Sequence, residues 1–85
     1  MIDISYRIFD LVASTNSLTK TAEIVHLTPS AVSHSLRKLE ERLGMQLVVR
    51  NRDGLRLTQY GQELIPHVRY ALKAEERLQQ EIQQI

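Results

Sequence analysis

The sequence contains no cysteine and no tryptophan, and it has only one phenylalanine, two prolines and three glycines. Without cysteine there is no disulfide, no thiolate metal ligand and no cysteine nucleophile, so a reducing compartment is the simpler expectation. No apolar run exceeds three residues, far below the ~20 that a membrane-spanning helix needs. The acidic start Ile2-Asp3 also lacks the basic region of a signal peptide. We therefore expect a cytoplasmic protein.

The chain has 85 residues, which suits one small domain and excludes large enzyme folds. Its net charge is only +1, but its cations are unevenly distributed. Between positions 26 and 56, six lysines and arginines face three acidic residues, whereas both flanks are slightly acidic. A basic middle third on an otherwise neutral protein suits a nucleic-acid-binding face. A solvated surface with chance clustering explains the charge pattern equally well.

Three helices are predicted in the first half of the chain. The first covers Asp3–Thr15, and the second begins after the capping residue Ser17. Thr28-Pro29 starts the third, because a hydroxyl caps the helix and proline suits its first position, and Gly44 can end it. The apolar faces are Ile4, Ile8, Phe9, Leu11 and Val12 on the first helix, Leu18, Ala22 and Val25 on the second, and Val32, Leu36, Leu39 and Leu43 on the third.

Beyond Gly44 the apolar period changes from that of a helix to that of a strand. Two short strands are predicted, one from Leu47 to Arg50 and one from Leu55 to Thr58, around a turn in which Asp53-Gly54 supplies residues that tolerate positive φ angles. Thr58 can then cap a long final helix that ends near position 84. The fold class is therefore mainly α: a winged helix-turn-helix of three helices and a small β-hairpin (residues 1–58), followed by a long helix (59–85).

The exposed side of the third helix carries the pattern that points most directly to function. Polar and charged residues recur there at helical spacing, opposite the apolar face: Ser30, Ser33, His34, Arg37, Lys38 and Glu41. Small hydrogen-bonding groups near the helix start can approach base edges in a DNA major groove, and the charged end suits phosphates. Thr28 and the open N–H groups at the helix start offer a further phosphate site.

Three arginines lie on or beside the predicted hairpin: Arg50, Arg52 and Arg56. Arg52 is near the tip, where it can reach an adjacent minor groove or its phosphates. The alternative is a solvated hairpin edge whose charges discourage strand aggregation.

The final helix has a seven-residue apolar repeat. Leu64, Ala71, Leu78 and Ile85 form it, Val68 and Ile82 occupy the intervening position, Ile65 and Leu72 widen the seam, and Glu75 interrupts it. We expect this helix to pair with the same helix of a second copy, so that two recognition helices meet one duplex. Packing of the seam onto its own domain is the alternative.

Catalysis finds little support in the sequence. His26, His34 and His67 do not have metal-ligand spacing. The neighbours Ser33 and His34 point about 100° apart on a helix, which disfavours a nucleophile and base pair. We expect no enzyme, no metal and no cofactor. A module that recruits a protein partner through the winged fold and the long helix remains an alternative.

Several motifs follow one another in a specific order. They are Ala-Val-Ser and Leu-Glu-Glu-x-Leu-Gly within His26–Gly44, then the hairpin, then Leu-Thr-x-x-Gly at Leu57–Gly61. Together with Ser17–Glu23, Leu47 and Arg50, they make nearly the whole chain resemble the N-terminal DNA-binding domain of LysR-type bacterial transcriptional regulators.

The resemblance implies sequence-specific binding to double-stranded operator DNA by a homodimer on an interrupted inverted repeat. The recognition helix, about residues 29–43, would enter the major groove, with the wing near the minor groove. Family members also carry a larger C-terminal domain that binds a small-molecule effector, usually in a tetramer. That domain is absent from this sequence, so the resemblance implies a DNA-binding fragment.

Carried over position by position, the resemblance assigns base reading to the start of the third helix, and the charge and apolar patterns described above give the other expected contacts. The base-reading positions fall on Pro29, Ser30, Ser33 and His34. The expected phosphate contacts are Thr28, Lys20, Arg37, Lys38 and Arg50, with Arg52 and Arg56 on the wing, and the expected dimerisation residues are Leu64, Ile65, Val68, Ala71, Leu72, Leu78 and Ile82. His34 stands where many members have Arg, so a strong guanine reader is missing.

Overall fold

The computed structural model describes residues 2–85. Along them lie α1 (Ile4–Thr15), α2 (Leu18–Val25), α3 (Pro29–Leu43), β1 (Val48–Asn51), β2 (Gly54–Leu57) and α4 (Gln59–Gln83). This order confirms the predicted fold class, a winged helix-turn-helix followed by a long helix.

Local capping sets the ends of the helices as predicted. The side-chain oxygens of Ser17, Thr28 and Thr58 each accept a hydrogen bond from the N–H group three residues further on. Gly44 ends α3 in the left-handed conformation, at a φ of 69°. His26 ends α2 in the same region at a φ of 59°, so only two residues separate it from the start of α3.

The core joins the three short helices to the hairpin and the first half of α4. Its largest fully buried apolar side chains are Phe9, Ile8, Leu39, Leu47, Val12 and Val32. The prediction that Ile4 lies on the apolar face of α1 that packs into the core is wrong, because Ile4 is 57% exposed and Ser5 is buried instead. Ser5 can be buried because the Arg42 guanidinium donates a 2.9 Å hydrogen bond to its hydroxyl.

The hairpin is antiparallel, and its register runs from the pair Val48 and Leu57 to the pair Asn51 and Gly54. Of the two turn residues that tolerate positive φ, Gly54 adopts a φ of 113°, whereas Asp53 does not have a positive φ. The Asn51 side-chain oxygen accepts a 3.0 Å hydrogen bond from the Asp53 N–H, which stabilises the turn without a left-handed residue at that position.

The two halves of α4 have different surroundings. Ile65 and Val68 are 8% and 3% exposed and belong to the core, whereas Leu78 and Ile82 are each 50% exposed. The prediction that Ile65 and Val68 line a dimer seam is therefore wrong, because α1 and β2 of the same chain pack against that side of α4. Neither α4 nor any other helix of residues 2–85 has the length and apolar character of a membrane span.

The other seam positions lie between these extremes. Leu64 and Leu72 are half-buried and pack against the core, and Ala71 is also half-buried. Glu75, the residue that interrupts the apolar repeat, accepts a 3.2 Å hydrogen bond from the Ile2 N–H. Its carboxylate therefore helps to join the start of the chain to the second half of α4.

Candidate nucleic-acid interface

The short helix α2 is held against α1 by a polar contact. The hydroxyls of Thr15 and Thr21 lie 3.1 Å apart, and Thr21 is fully buried. Ala22 beside it is also buried, as predicted for a site of close helix packing. Thr21 was not among the predicted core residues, because a threonine in a short helix carries no apolar signal. This contact sets the position of α2, and with it the start of α3.

The side of α3 opposite the core is exposed, in agreement with most of the predicted pattern. Pro29, Ser30, His34, Arg37 and Lys38 are all exposed, whereas Val32, Leu36 and Leu39 are buried. Thr28 is exposed at the helix start, where its hydroxyl oxygen accepts a 3.1 Å hydrogen bond from the Ala31 N–H. The Thr28 hydroxyl proton remains free to donate to an anion.

Ser33 is the exception on this face. The prediction that it lies on the exposed stripe is wrong, because only 7% of its surface is exposed. Arg50 of β1 donates a hydrogen bond from its guanidinium to the Ser33 hydroxyl. Since Ser33 follows the fully buried Val32, it lies at the edge of the apolar face, where β1 covers it.

Glu40 fixes the position of the hairpin relative to α3. Its carboxylate accepts hydrogen bonds from the N–H groups of Leu47, at 2.7 Å, and Val48, at 3.3 Å. Sequence spacing does not predict this role, because these partners are seven and eight residues away and share no helical or strand period with Glu40. The Leu-Glu-Glu-x-Leu-Gly motif was the only available signal.

The hairpin is also fixed to the start of α4. The Thr58 N–H donates a 2.9 Å hydrogen bond to the Leu47 carbonyl oxygen. Gly61 faces that same oxygen, and a Cβ atom built at position 61 would overlap it. Glycine is therefore needed for the close approach of α4 to the chain at Leu47.

The exposed cations of this surface have no carboxylate partners. They lie on α2, α3 and the hairpin: Lys20, Arg37, Lys38, Arg50, Arg52 and Arg56. Within residues 2–85, the ion pairs join Arg42 to Asp3, at 4.0 Å, and Arg69 to Asp10, at 2.8 Å. Both pairs use arginines outside this set. The charges of the surface are thus available to an external anion.

The described residues do not form a metal-binding site. Across the residues that the structure describes, no group of three or more His, Asp or Glu side chains could hold a metal ion. His34 is on the exposed face of α3, His26 ends α2, and His67 is exposed on α4. These three histidines do not form a metal-binding group of that kind.

These features define a winged helix-turn-helix of the kind found in transcription regulators. The family model described as "Bacterial regulatory helix-turn-helix protein, lysR family" matches residues 5–62. The chain belongs to the LysR family. Its matched segment is the regulatory helix-turn-helix domain that this family model describes.

Individual relatives agree with this family. The chain is 36% identical over 75 residues to the HTH-type transcriptional regulator YvbU of Bacillus subtilis. That alignment covers 87% of this chain and 26% of that protein. It is 43% identical over 56 residues to the HTH-type transcriptional regulator HdfR of Salmonella newport, covering 66% of this chain and 20% of that protein. The chain thus spans about a quarter or less of these two relatives.

The fold is also shared with a solved structure. The BenM DNA-binding domain in complex with the catB site 1 DNA matches with a TM-score of 0.91 at 24% identity. The match covers 99% of this chain and 94% of that chain. The winged helix-turn-helix and the long helix that follows it are therefore the same architecture in both.

Proposed function

We propose that this chain binds double-stranded operator DNA sequence-specifically, with α3 in the major groove and the hairpin near the adjacent minor groove. The observation that carries the proposal is the exposed face of α3, whose cations and those of α2 and the hairpin lack carboxylate partners. A rigid helix with small polar groups at its start and charges further along suits base edges and phosphates in that order. The BenM domain, which shares the fold, is described in a DNA complex.

The residues divide by the chemistry they can supply. Pro29, Ser30 and His34 are exposed at the start of α3 and are proposed to contact base edges. Thr28, Lys20, Arg37, Lys38 and Arg50 are proposed to contact phosphates, and Arg52 and Arg56 to serve the wing. A neutral His34 offers one donor and one acceptor, so it cannot bind guanine with two parallel donors as an arginine can.

We further propose that the chain acts as a homodimer on an interrupted inverted repeat. The second half of α4 supports this, because Leu78 and Ile82 are half exposed and Ile85 follows at the same helical spacing. In this arrangement, DNA is contacted or the contact is supported by the hairpin, the three short helices and the first half of α4. The second half of α4 then pairs with the same segment of a second copy.

The relatives are about four or five times as long as the matched segment. We therefore propose that the chain is the DNA-binding part of a longer regulator that acts at the nucleoid in the bacterial cytoplasm. In that regulator, a further domain would bind a small-molecule effector and complete a tetramer. No residue of this chain is assigned to effector binding.

The test is a selection of bound duplexes from a random DNA pool at two salt concentrations. We expect a two-fold-symmetric repeat among the recovered sequences, and an affinity that falls steeply with salt because phosphate contacts release counterions. Affinity that ignores both salt and sequence would contradict the proposal and favour a protein partner.

Three variants sharpen the test. Arg37→Ala should lower the affinity for all sequences and reduce the salt slope by about 1, whereas Arg77→Ala removes the same charge from the exposed second half of α4 and should change neither. His34→Ala should instead change the preference at one base position by about 10- to 100-fold. Equal effects of the two arginine variants would place the DNA elsewhere on the molecule.

A further inference from the structure

A cleft lies between α3 and β1. Its lining includes Ser33, Arg37, Glu40 and Glu41 from α3 and Arg50 from β1. Arg50 donates to the Ser33 hydroxyl, so the strand and the recognition helix are joined at this point by one side-chain hydrogen bond. The cleft opens beside the face of α3 that is proposed to meet DNA.

The carboxylates that line this cleft, Glu40 and Glu41, do not form ion pairs with its two arginines. Glu40 is half-buried and accepts hydrogen bonds from the N–H groups of Leu47 and Val48. Neither Arg37 nor Arg50 forms an ion pair with a carboxylate within residues 2–85. Both guanidinium groups are exposed and therefore remain available to an anion at the cleft.

A guanidinium group has five N–H donors in a fixed planar arrangement. Arg50 uses one nitrogen, Nη2, for the Ser33 hydroxyl. The remaining donors of Arg50 and those of Arg37 can bind phosphate oxygens, for which planar guanidinium groups are well matched. The hydrogen bond to Ser33 limits the conformations of the long Arg50 side chain before any DNA arrives.

We propose that Ser33 is a positioning residue that holds Arg50 at this cleft, and that Arg37 and Arg50 together bind one backbone phosphate. The inference rests on the proposed DNA-binding function and assigns Ser33 a different role from the base-reading one that the resemblance implies. Ser33 acts on DNA through Arg50, because it is 7% exposed and its oxygen already accepts a hydrogen bond from Arg50.

A double-mutant cycle on the 85-residue chain tests this assignment. The variants are Ser33→Ala, Arg50→Ala and the double variant, and the probe is a duplex that carries a single half-site from the selection, so that dimerisation does not enter. We expect Arg50→Ala to reduce the salt slope by about 1. Ser33→Ala should weaken binding about five-fold alone, and less than two-fold when Arg50 is already alanine.

The base preference of Ser33→Ala separates positioning from base reading. If Ser33 holds Arg50, the preference at every position of the half-site stays that of the wild type. If Ser33 reads a base, one position loses about 10- to 100-fold of its preference, and this loss persists in the Arg50→Ala background. A general loss of folding would not produce either pattern, and thermal unfolding of each variant checks it separately.

Two further variants serve as controls. Ser30→Ala removes an exposed hydroxyl one turn earlier on α3, so its effect should be the same with or without Arg50. Arg50→Lys keeps the charge but not the planar donor group, and it should recover only part of the affinity. If the wild type binds the half-site and the losses from Ser33→Ala and Arg50→Ala simply add, this inference fails while the proposed function stands. If the wild type shows no salt-dependent, sequence-dependent binding, both fail.

Discussion

The first and second halves of α4 carry apolar residues at the same seven-residue spacing, yet they lie in different environments. Ile65 and Val68 in the first half are inside the core formed with α1 and the hairpin, whereas Leu78 and Ile82 in the second half are exposed, as is Ile85 just beyond the helix end. The helix itself continues through Pro66 and does not change type between the two. The difference comes from what the rest of the chain places beside each half.

An apolar repeat therefore indicates only that a helix face packs against other apolar surface. It does not indicate whether that surface belongs to the same chain or to a second copy. In α4 the first half is covered because Thr58 and Gly61 bring the helix start against Leu47. No element of the core covers Leu78 or Ile82 in the second half, and each of them is 50% exposed.

The largest effect should come from the same substitution made in each half. Ile65→Ala is expected to lower the free energy of unfolding by about 3 kcal/mol, because it opens a cavity in the core. Ile82→Ala, measured at a concentration where the chain is monomeric, should change it by less than about 0.5 kcal/mol. Urea unfolding of both variants measures the two values. Equal losses would mean that the two halves are not distinct in the monomer.

Gly61→Ala tests the contact that brings the first half into the core. In an open helix this change stabilises by about 1 kcal/mol, but here the new Cβ would overlap the Leu47 carbonyl oxygen. We expect a loss of about 2 kcal/mol in unfolding free energy. Gln62→Ala, at the next and exposed position, is the control and should have little effect. A stabilised Gly61→Ala variant would show that α4 and Leu47 are not in close contact.

Leu78→Ala tests the proposed role of the second half. It should weaken self-association about five-fold, which corresponds to about 1 kcal/mol, because it removes apolar surface that the partner helix would cover. Sedimentation equilibrium measures the dissociation constant. Gln80→Ala on the same exposed segment should leave it unchanged. Unaltered association in Leu78→Ala would place the dimer contact on another surface.

The smallest effect is expected at Asp3, beside the groove between α1 and the second half of α4. The Ser5 N–H lowers the pKa of the Asp3 carboxyl below its ordinary value of 3.8, with smaller contributions from the Ser5 hydroxyl and from Arg42. A lowered pKa adds stability above 3.8, and this is lost as the pH falls through the lower value of the folded state. Melting temperatures of wild type and Asp3→Asn should therefore converge in acid. A constant difference across this range would exclude a contribution from Asp3 ionisation.

Much of the fold follows from short-range signals in the sequence. Thr28-Pro29 and Gly44 set the two ends of α3, and Ser17 starts α2, because each satisfies backbone groups within its own helix end. The buried face of α3 also follows from spacing alone. Such features depend on residues within four positions of each other, so they can be predicted without knowing the rest of the molecule.

The candidate site could be predicted only in part. Spacing placed Ser30, His34, Arg37 and Lys38 on one face of α3, and the structure shows that they are exposed there. The same spacing also included Ser33, whose exposure depends on Arg50 of a strand that follows many residues later. The role of Glu40 was missed for the same reason.

The sequence by itself determined the helices, their ends, the hairpin and the basic character of the middle third, because these depend on neighbouring residues and on composition. Only the tertiary structure decided which half of α4 is buried, which carboxylate holds the hairpin, and which polar residue of α3 is covered by β1. These depend on contacts between segments that are distant along the chain. Their geometry arises only when the core forms, since packing against a shared core sets the relative positions of such segments.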